Sequence, residues 1–543
     1  MLSGELPLKA HCLPFRQIPH TSRLFLDFLD FKPDVRQFYP RSANFSEWFQ
    51  DETSRVRYDS ARRERVAGIL ERQNKAWGAS VTTLENISKL RAGAFAAVTG
   101  QQVALFGGPA FSLYKALSAV KLAEEARKAG IDCVPVFWLA TQDHDLEEVN
   151  QVGIPAADAQ LKTLSAPTVG VTNAPVGNIK LGPEVDAAVS AVAELLGESD
   201  GTTLLRECYR AGETFGSAFA RLFARLFGDW GVILLDASDP ELNAIALPIY
   251  ASAVESSEEL DQKLLARGKQ LESAGYHQQV KVTSSSTLLF CLKDGARVPV
   301  HRAGSGDFLV GDETIDEVGL LGRMKDSPQD FSANVLLRPI VQDYILPTLA
   351  YTGGAAETAY FAQAGVVYEA LAGRVTPVIP RFSATVLEAK PKALLDKYEL
   401  QLTDVLEGPE AVREQLASQT LPKELQGAFE EADRNLADSM AKVRELLGKL
   451  DKTLVEAATN ASSKITHQLE SLRSRAGRAE LRQSEVLARH AEMLSNMLYP
   501  GKGLQERGIG AIYFMGRYGT QFLHELYEAI HPDCPDHQVI TLQ

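Results

Sequence analysis

Three short runs are apolar at consecutive positions: AFAAVTG (94–100), VPVFWLA (134–140) and GVILLDAS (231–238). Unbroken apolarity over five to eight residues is the mark of a strand covered on both faces, as in a parallel sheet. Between the first two runs, Leu113, Leu117 and Val120 recur at i, i+4 and i+7, and Gly130 supplies a stop. That spacing predicts a helix from about Ala110. Strand, helix and strand in that order predict a right-handed parallel crossover. Arg55–Lys89 and residues 203–228 carry helical spacing, whereas LLFCLKDGARVPVHR alternates about Asp294-Gly295. The alternation predicts a hairpin inside a small β insertion over 279–312. Residues 334–361 predict a strand that hands the chain to Gly353-Gly354-Ala355-Ala356 and then to a helix. TPVIPRFSAT (376–385) closes the apolar core.

From about 386 the period changes. Residues 423–497 lack proline, and Leu425, Phe429, Ala432, Leu436, Met440, Val443, Leu447, Leu450 and Leu454 recur in steps of three and four. This is a heptad seam with one stutter. Some 75 helical residues would reach roughly 110 Å at 1.5 Å per residue. Such a helix must bend back on itself, pair with a second copy, or both. Asn460-Ala461-Ser462-Ser463 and Gly477 are the candidate bends. Residues 498–530 return to globular character, with an aromatic stripe at Tyr513, Phe514, Tyr518 and Phe522. The expected fold is therefore α/β. Residues 1–385 form a parallel-sheet core with insertions, 386–497 a long α-helical coiled-coil domain, and 498–543 a segment that packs back on the core.

Composition narrows the function. The 543 residues are 45% hydrophobic and carry a net charge of −14. An acidic chain argues against general nucleic-acid binding, which requires a cationic surface. No uninterrupted apolar stretch of about 20 residues is present, so no membrane span is expected. Cys12, Cys133, Cys208, Cys291 and Cys534 are widely spaced, without CxxC or Cys/His pairing. Neither a disulfide framework nor structural zinc is expected, and a cytoplasmic location is the default.

Four constellations can carry chemistry. Gly100-Gln101-Gln102, the Gly107-Gly108 turn, Tyr114 and Lys115 lie where a first strand meets a helix N-terminus. Free N–H groups and the helix dipole make such a turn an anion site. Asp143-His144-Asp145 follows a buried strand. Flanking acids favour the imidazolium and suit a proton relay, and their oxygens can hold Mg2+; alternatively Asp145 is an N-cap. The third group is Arg338, Gln342, Asp343, Tyr351 and Glu357, in which Arg338 either clamps an anion or pairs with Asp343. The fourth joins Arg381, Phe382 and Ser383 to Lys502, Gln505 and Arg507 at the two ends of the coiled-coil insertion. A basic loop beside an aromatic ring suits a nucleotide, and plain surface is the other reading.

Taken together, GQQVALFGGPAFSLYK, PVFWLATQDHDLEEV, SANVLLRPIVQDYILPTLAY, PVIPRFSAT and GKGLQER resemble the cysteine-adding enzyme family of bacillithiol biosynthesis. Gly353-Gly354-Ala355-Ala356-Glu357 departs from the Gly-Pro-Gly-Glu type of turn expected in that family. The resemblance implies a Rossmann-like core with connecting-peptide insertions, similar to nucleotidylyl transferases and class I tRNA synthetases. It implies a coiled coil that supports a homodimer, a nucleotide site near the coiled-coil junction, and the joining of L-cysteine to glucosaminyl-malate. An amide from a carboxylate needs activation, most simply by ATP. In the expected mechanism Lys115 or Arg338 neutralises developing charge. His144, tuned by Asp143, takes the amine proton, and Glu357 or Asp343 holds the cysteine ammonium. The competing readings are a nucleotidylyltransferase acting on another small acid and a coiled-coil scaffold without catalysis.

Overall fold

The computed structural model describes residues 8–166, 168, 170, 172–304, 306–419, 423–483, 485–531 and 534–542. Five parallel strands form its central sheet: β1 (Phe95–Gln101), β2 (Cys133–Leu139), β3 (Ile233–Asp236), β4 (Thr348–Gly353) and β5 (Val378–Pro380). Their spatial order is β5-β4-β1-β2-β3. Both faces are covered, as the unbroken apolar runs require. Ala96, Val98, Val134, Val136, Ile233 and Leu235 belong to one large core. Ala97, Cys133, Leu349 and Ala350 join another, against Leu122, Ala123 and Ala126 of helix α1 (Phe111–Lys128). The chain adds β2 and β3 on one side of β1, then crosses over to add β4 and β5 on the other. The carboxyl ends of β1 and β4 therefore diverge, and that reversal is where an open α/β sheet forms its ligand crevice.

The chain departs from the sequence expectation at 334–345. This is not strand but helix α2 (Arg338–Ile345), followed by β4. Asn334 Oδ1 accepts from the N–H groups of Leu336 and Leu337 at 2.9 and 3.1 Å, and Pro339 occupies the first helical turn. Proline fits there because that N–H has no helical partner. Buried Leu337, Ile340, Val341 and Ile345 then sit at helical spacing. After β4 the chain enters helix α3 (Ala355–Leu371). Similarly, 203–228 divides into Asp200–Cys208 and Phe215–Leu226, each started by a capping box, at Ser199 and at Thr214.

The β insertion is a five-stranded antiparallel sheet. Its order is Glu313–Ile315, Phe308–Val310, Ala296–Arg302, Ser286–Lys293 and Phe331–Ala333. Asp294 and Gly295 turn its hairpin with φ of 51° and 81°, as an Asp-Gly turn demands. One disulfide, Cys12–Cys534, was not anticipated. It joins residues 522 apart in sequence, a pairing that local spacing cannot reveal. No helix among the described residues is long and apolar enough to cross a membrane.

The chain divides into two compact units: residues 1–154, 162–385 and 506–543, and residues 155–161 and 386–505. In the second, α4 (Lys423–Leu450) and α5 (Leu454–Gln483) form a hairpin within one chain. Arg473 bridges it to Asp433 at 2.7 Å. The bend falls at 451–453, not at Asn460–Ser463 or Gly477. Asp451 caps it, its Oδ1 accepting from the Thr453 N–H and hydroxyl at 2.8 Å each. Gly477 has another use: a Cβ there would stand 2.9 Å from Ala417, so its bare backbone permits close packing.

Candidate active site

A cavity of about 730 Å³ opens at the divergence of β1 and β4. Its floor is set by Lys115, whose three protons meet three oxygens: Gly100 O at 2.7 Å, Gln101 Oε1 at 2.9 Å and Glu357 Oε2 at 2.7 Å. Glu357 is equally engaged. Its Oε1 accepts from the Tyr351 hydroxyl at 2.5 Å, and its Oε2 also accepts the Gly354 N–H at 2.8 Å. Burial pushes the Lys115 ammonium down to about 8, against the pull of Glu357. Burial alone would raise the Glu357 carboxyl, but Lys115, the Tyr351 hydroxyl and the Gly354 N–H together hold the group below the usual range. The pair neutralises itself and knits the ends of β1 and β4 together.

Cations with other arrangements surround this floor. Arg338 gives one hydrogen bond to Gln342 Oε1 (2.9 Å) and one to the Tyr360 hydroxyl (3.1 Å). Its guanidinium lies 5.2 Å from the Tyr351 ring centre. Arg381 is tied to buried Glu506 at 2.5 Å. Arg507 is exposed at the mouth, 5.7 Å from the Phe111 ring centre. Among the described residues, neither Arg338 nor Arg507 has a carboxylate oxygen within 4 Å, leaving donors free for an anion. The lining holds five cationic side chains and three carboxylates, a positive pocket on an acidic protein.

Asp143 and His144 form the opposite wall. Asp143 Oδ2 accepts from Gln102 Nε2 at 2.8 Å, and Oδ1 accepts the His144 N–H at 2.7 Å. Gln102 also donates to Glu148 Oε2 at 2.9 Å. The β insertion delivers Arg297, whose Nη1 stands 3.1 Å from His144 Nδ1. Flanking acids were expected to favour the imidazolium. Instead, burial and then Arg297 lower the His144 pKa and outweigh Asp143 and Asp145. Asp145 caps the short helix Leu146–Val149, accepting the Glu148 N–H at 3.2 Å. No group of three or more His, Cys, Asp or Glu side chains converges among the described residues. Both Asp143 oxygens already accept hydrogen bonds, from Gln102 and from the His144 N–H.

Comparison with known proteins decides the family. Residues 8–382 match the N-terminal Rossmann-like domain of the bacillithiol biosynthesis protein BshC, and 384–542 match its C-terminal coiled-coil domain. The chain belongs to the BshC family. A Koribacter versatilis relative, named "Putative cysteine ligase BshC", is 47% identical over 98% of this chain and 99% of its own length. Relatives bearing the same name in Solibacter usitatus and Salinibacter ruber are 34% and 32% identical, each over 98% of this chain and 100% and 98% of their own lengths.

Within this BshC-family cleft stand Gln101, Gln102, Lys115, Asp143, His144, Arg338, Tyr351, Glu357, Arg381 and Arg507. Other candidates lie elsewhere. Gly107 and Gly108 are buried in a turn with φ of 85° and 72°. The expected anion site at the start of α1 is sealed by the strap at 509–511. Ile509 O accepts the Ala110 N–H at 2.9 Å, and Gly108 O accepts from Ala511 at 2.8 Å. Tyr114 is buried against Phe382, ring centres 5.0 Å apart. Gln342 supports Arg338 from behind. Asp343 does not pair with Arg338; it accepts from Thr376 and faces Arg374 at 3.9 Å. Ser383 is buried between Glu506 (3.0 Å) and His537 (2.8 Å). Gln505 is spent on the backbone of Val386 and Met497, and Lys502 lies 3.2 Å from Glu410. The supposed nucleotide strip thus divides: Arg381 and Arg507 enter the cleft, while Lys502 and Gln505 belong to the helical unit. Sequence reasoning missed Arg297, Phe290, Trp138 and Tyr360. Hairpin alternation located Arg297 on a strand, but only docking of the insertion brings it to His144.

Proposed function

We propose that this chain joins L-cysteine to glucosaminyl-malate through an amide bond, with the cysteine carboxyl activated by ATP supplied as its magnesium salt. The observation that carries this reading is a positive crevice at the sheet's reversal, with two arginines that have no carboxylate partner among the described residues. Arg338, set deep, and Arg507, at the mouth, suit the malate carboxylates or the phosphates of an activated acyl group. A cysteine carboxylate oxygen attacks phosphorus and expels diphosphate or ADP. The sugar amine then attacks the acyl carbon and releases AMP or phosphate, losing one proton. Glu148, a carboxylate of the lining whose Oε2 accepts from Gln102, is the group proposed to hold the amine and receive that proton. The Lys115–Glu357 pair is frame rather than reagent, because all three ammonium protons and both carboxylate oxygens are engaged.

A homodimer is part of the proposal. Val443, Leu446, Leu450, Ile465 and Leu472 remain 42–79% exposed on the helical hairpin, an apolar seam that a second copy would cover. A scaffold would have the seam but no use for a buried lysine floor beneath unpaired arginines. The test is incubation with both substrates, with and without ATP, using cysteine labelled with ¹⁸O in its carboxyl. Transfer of one ¹⁸O to AMP or phosphate, together with amide product, is expected. Amide formation without ATP, or no label transfer, refutes activation.

A further inference from the structure

We infer that Arg297 fixes His144 as a neutral imidazole with its proton on Nε2, so that His144 donates a hydrogen bond to negative charge developing on the bound substrate and is not the base. The substrate half of this inference rests on the ligase reading; the tautomer half does not.

A guanidinium has only donors, so a nitrogen 3.1 Å from Arg297 Nη1 must present a lone pair. An imidazolium, or the Nδ1–H tautomer, would set two N–H groups against each other. Arg297 cannot readily turn away. Its Nε donates to Ser332 Oγ at 2.9 Å, its Nη2 donates to Ala333 O at 2.8 Å, and it lies 3.9 Å over the Phe290 ring. The acceptor that would stabilise an Nδ1 proton is out of range. Asp143 Oδ1 is 3.7 Å from Nδ1, and both Asp143 oxygens already accept from other N–H groups. The charged groups facing the ring are Arg297 from the insertion and Asp143 and Asp145 from its own loop. With Nδ1 spoken for and the ring lining the cavity, Nε2–H is left to meet a ligand; no described residue accepts from it.

A neutral donor suits the second half-reaction. When the amine attacks the acyl carbon, the carbonyl oxygen gains negative charge, and a preorganised donor stabilises it. A neutral imidazole does so without giving up its proton. His144 contacts substrate in this account, and Arg297 is a positioning residue that acts through it.

The experiment is ¹⁵N NMR of histidine-labelled full-length protein at pH 7 without substrate, the His144 signals being assigned by their loss in His144→Gln. An unprotonated Nδ1 and a protonated Nε2 are expected. Arg297→Met removes the lock and the positive charge, so the His144 titration should move to higher pH. The acidic limb of the ligation profile should move with it, which a merely structural role would not cause. His144→Gln keeps a donor and should stay within about tenfold of wild type, whereas His144→Ala should lose about a hundredfold or more. An imidazolium or an Nδ1–H signal in wild type overturns the inference, even if Arg297→Met does not fold. Equal inactivity of the folded Gln and Ala variants overturns it too. Absence of any amide from wild type would refute the ligase reading, while the NMR would still decide the tautomer.

Discussion

Lys115 and Glu357 show how much can hinge on one pair. Their side chains are 5% and 15% exposed, and each satisfies the other. Lys115→Met would leave a buried carboxylate without its cation, at a cost of about 3–5 kcal/mol in urea unfolding. Adding Glu357→Gln should recover part of that loss. The pair also sets a pH dependence. Lys115 titrates near 8 in the fold against 10.5 for a free lysine. Between those values the unfolded chain holds more protons, so this group's stability contribution rises with pH. The cleft, however, loses positive charge as pH climbs through 8. Malate-type anions should bind more weakly at pH 9 than at pH 7 by calorimetry, and equal affinity would contradict this assignment. The cleft positions of Lys115, His144 and Glu357 were legible in the sequence because each follows the carboxyl end of a strand, whereas Arg338 stood out on a strand reading that helix α2 replaces. Arg297 was not, because its only local signal is a place in a hairpin.

At the scale of elements, the strands were legible because burial on both faces leaves an unbroken apolar run. Helix α2 was not, because Pro339 read as punctuation when it is the first turn of a helix. The coiled-coil bend was misplaced for a similar reason: an aspartate cap at 451–453 outweighed the small residues at 460–463 and 477. The Gly353-Gly354 turn repays the attention its composition invites, for a different cause. Gly354 has an ordinary φ of −79°, so freedom of angle is not what it supplies. A Cβ on Gly353 would stand 2.8 Å from Glu357 Cβ and 3.0 Å from the Tyr351 ring. Space for the floor is what the glycine provides. Gly353→Ala should therefore displace Glu357, cost about 1–3 kcal/mol, and weaken substrate binding. A thermal melt and a KM measurement check both, and unchanged values would show that the floor tolerates the shift.

For the whole molecule, family membership and the two-part organisation followed from motifs distributed along nearly the entire chain. The Cys12–Cys534 bond is not legible in the sequence, since nothing local links residues so far apart. The exposed seam predicts a dimer of about twice 59.3 kDa by light scattering. Leu446→Glu with Leu472→Glu should shift it to monomer, and a monomeric wild type would contradict the proposed pairing. The positive crevice is the feature on which the functional account depends most. Its most direct test is calorimetric titration of glucosaminyl-malate into wild type, Arg338→Met and Arg507→Met at pH 7. Binding to wild type should weaken about tenfold or more in each variant, about 1.4 kcal/mol. Equal affinity in all three proteins would contradict it.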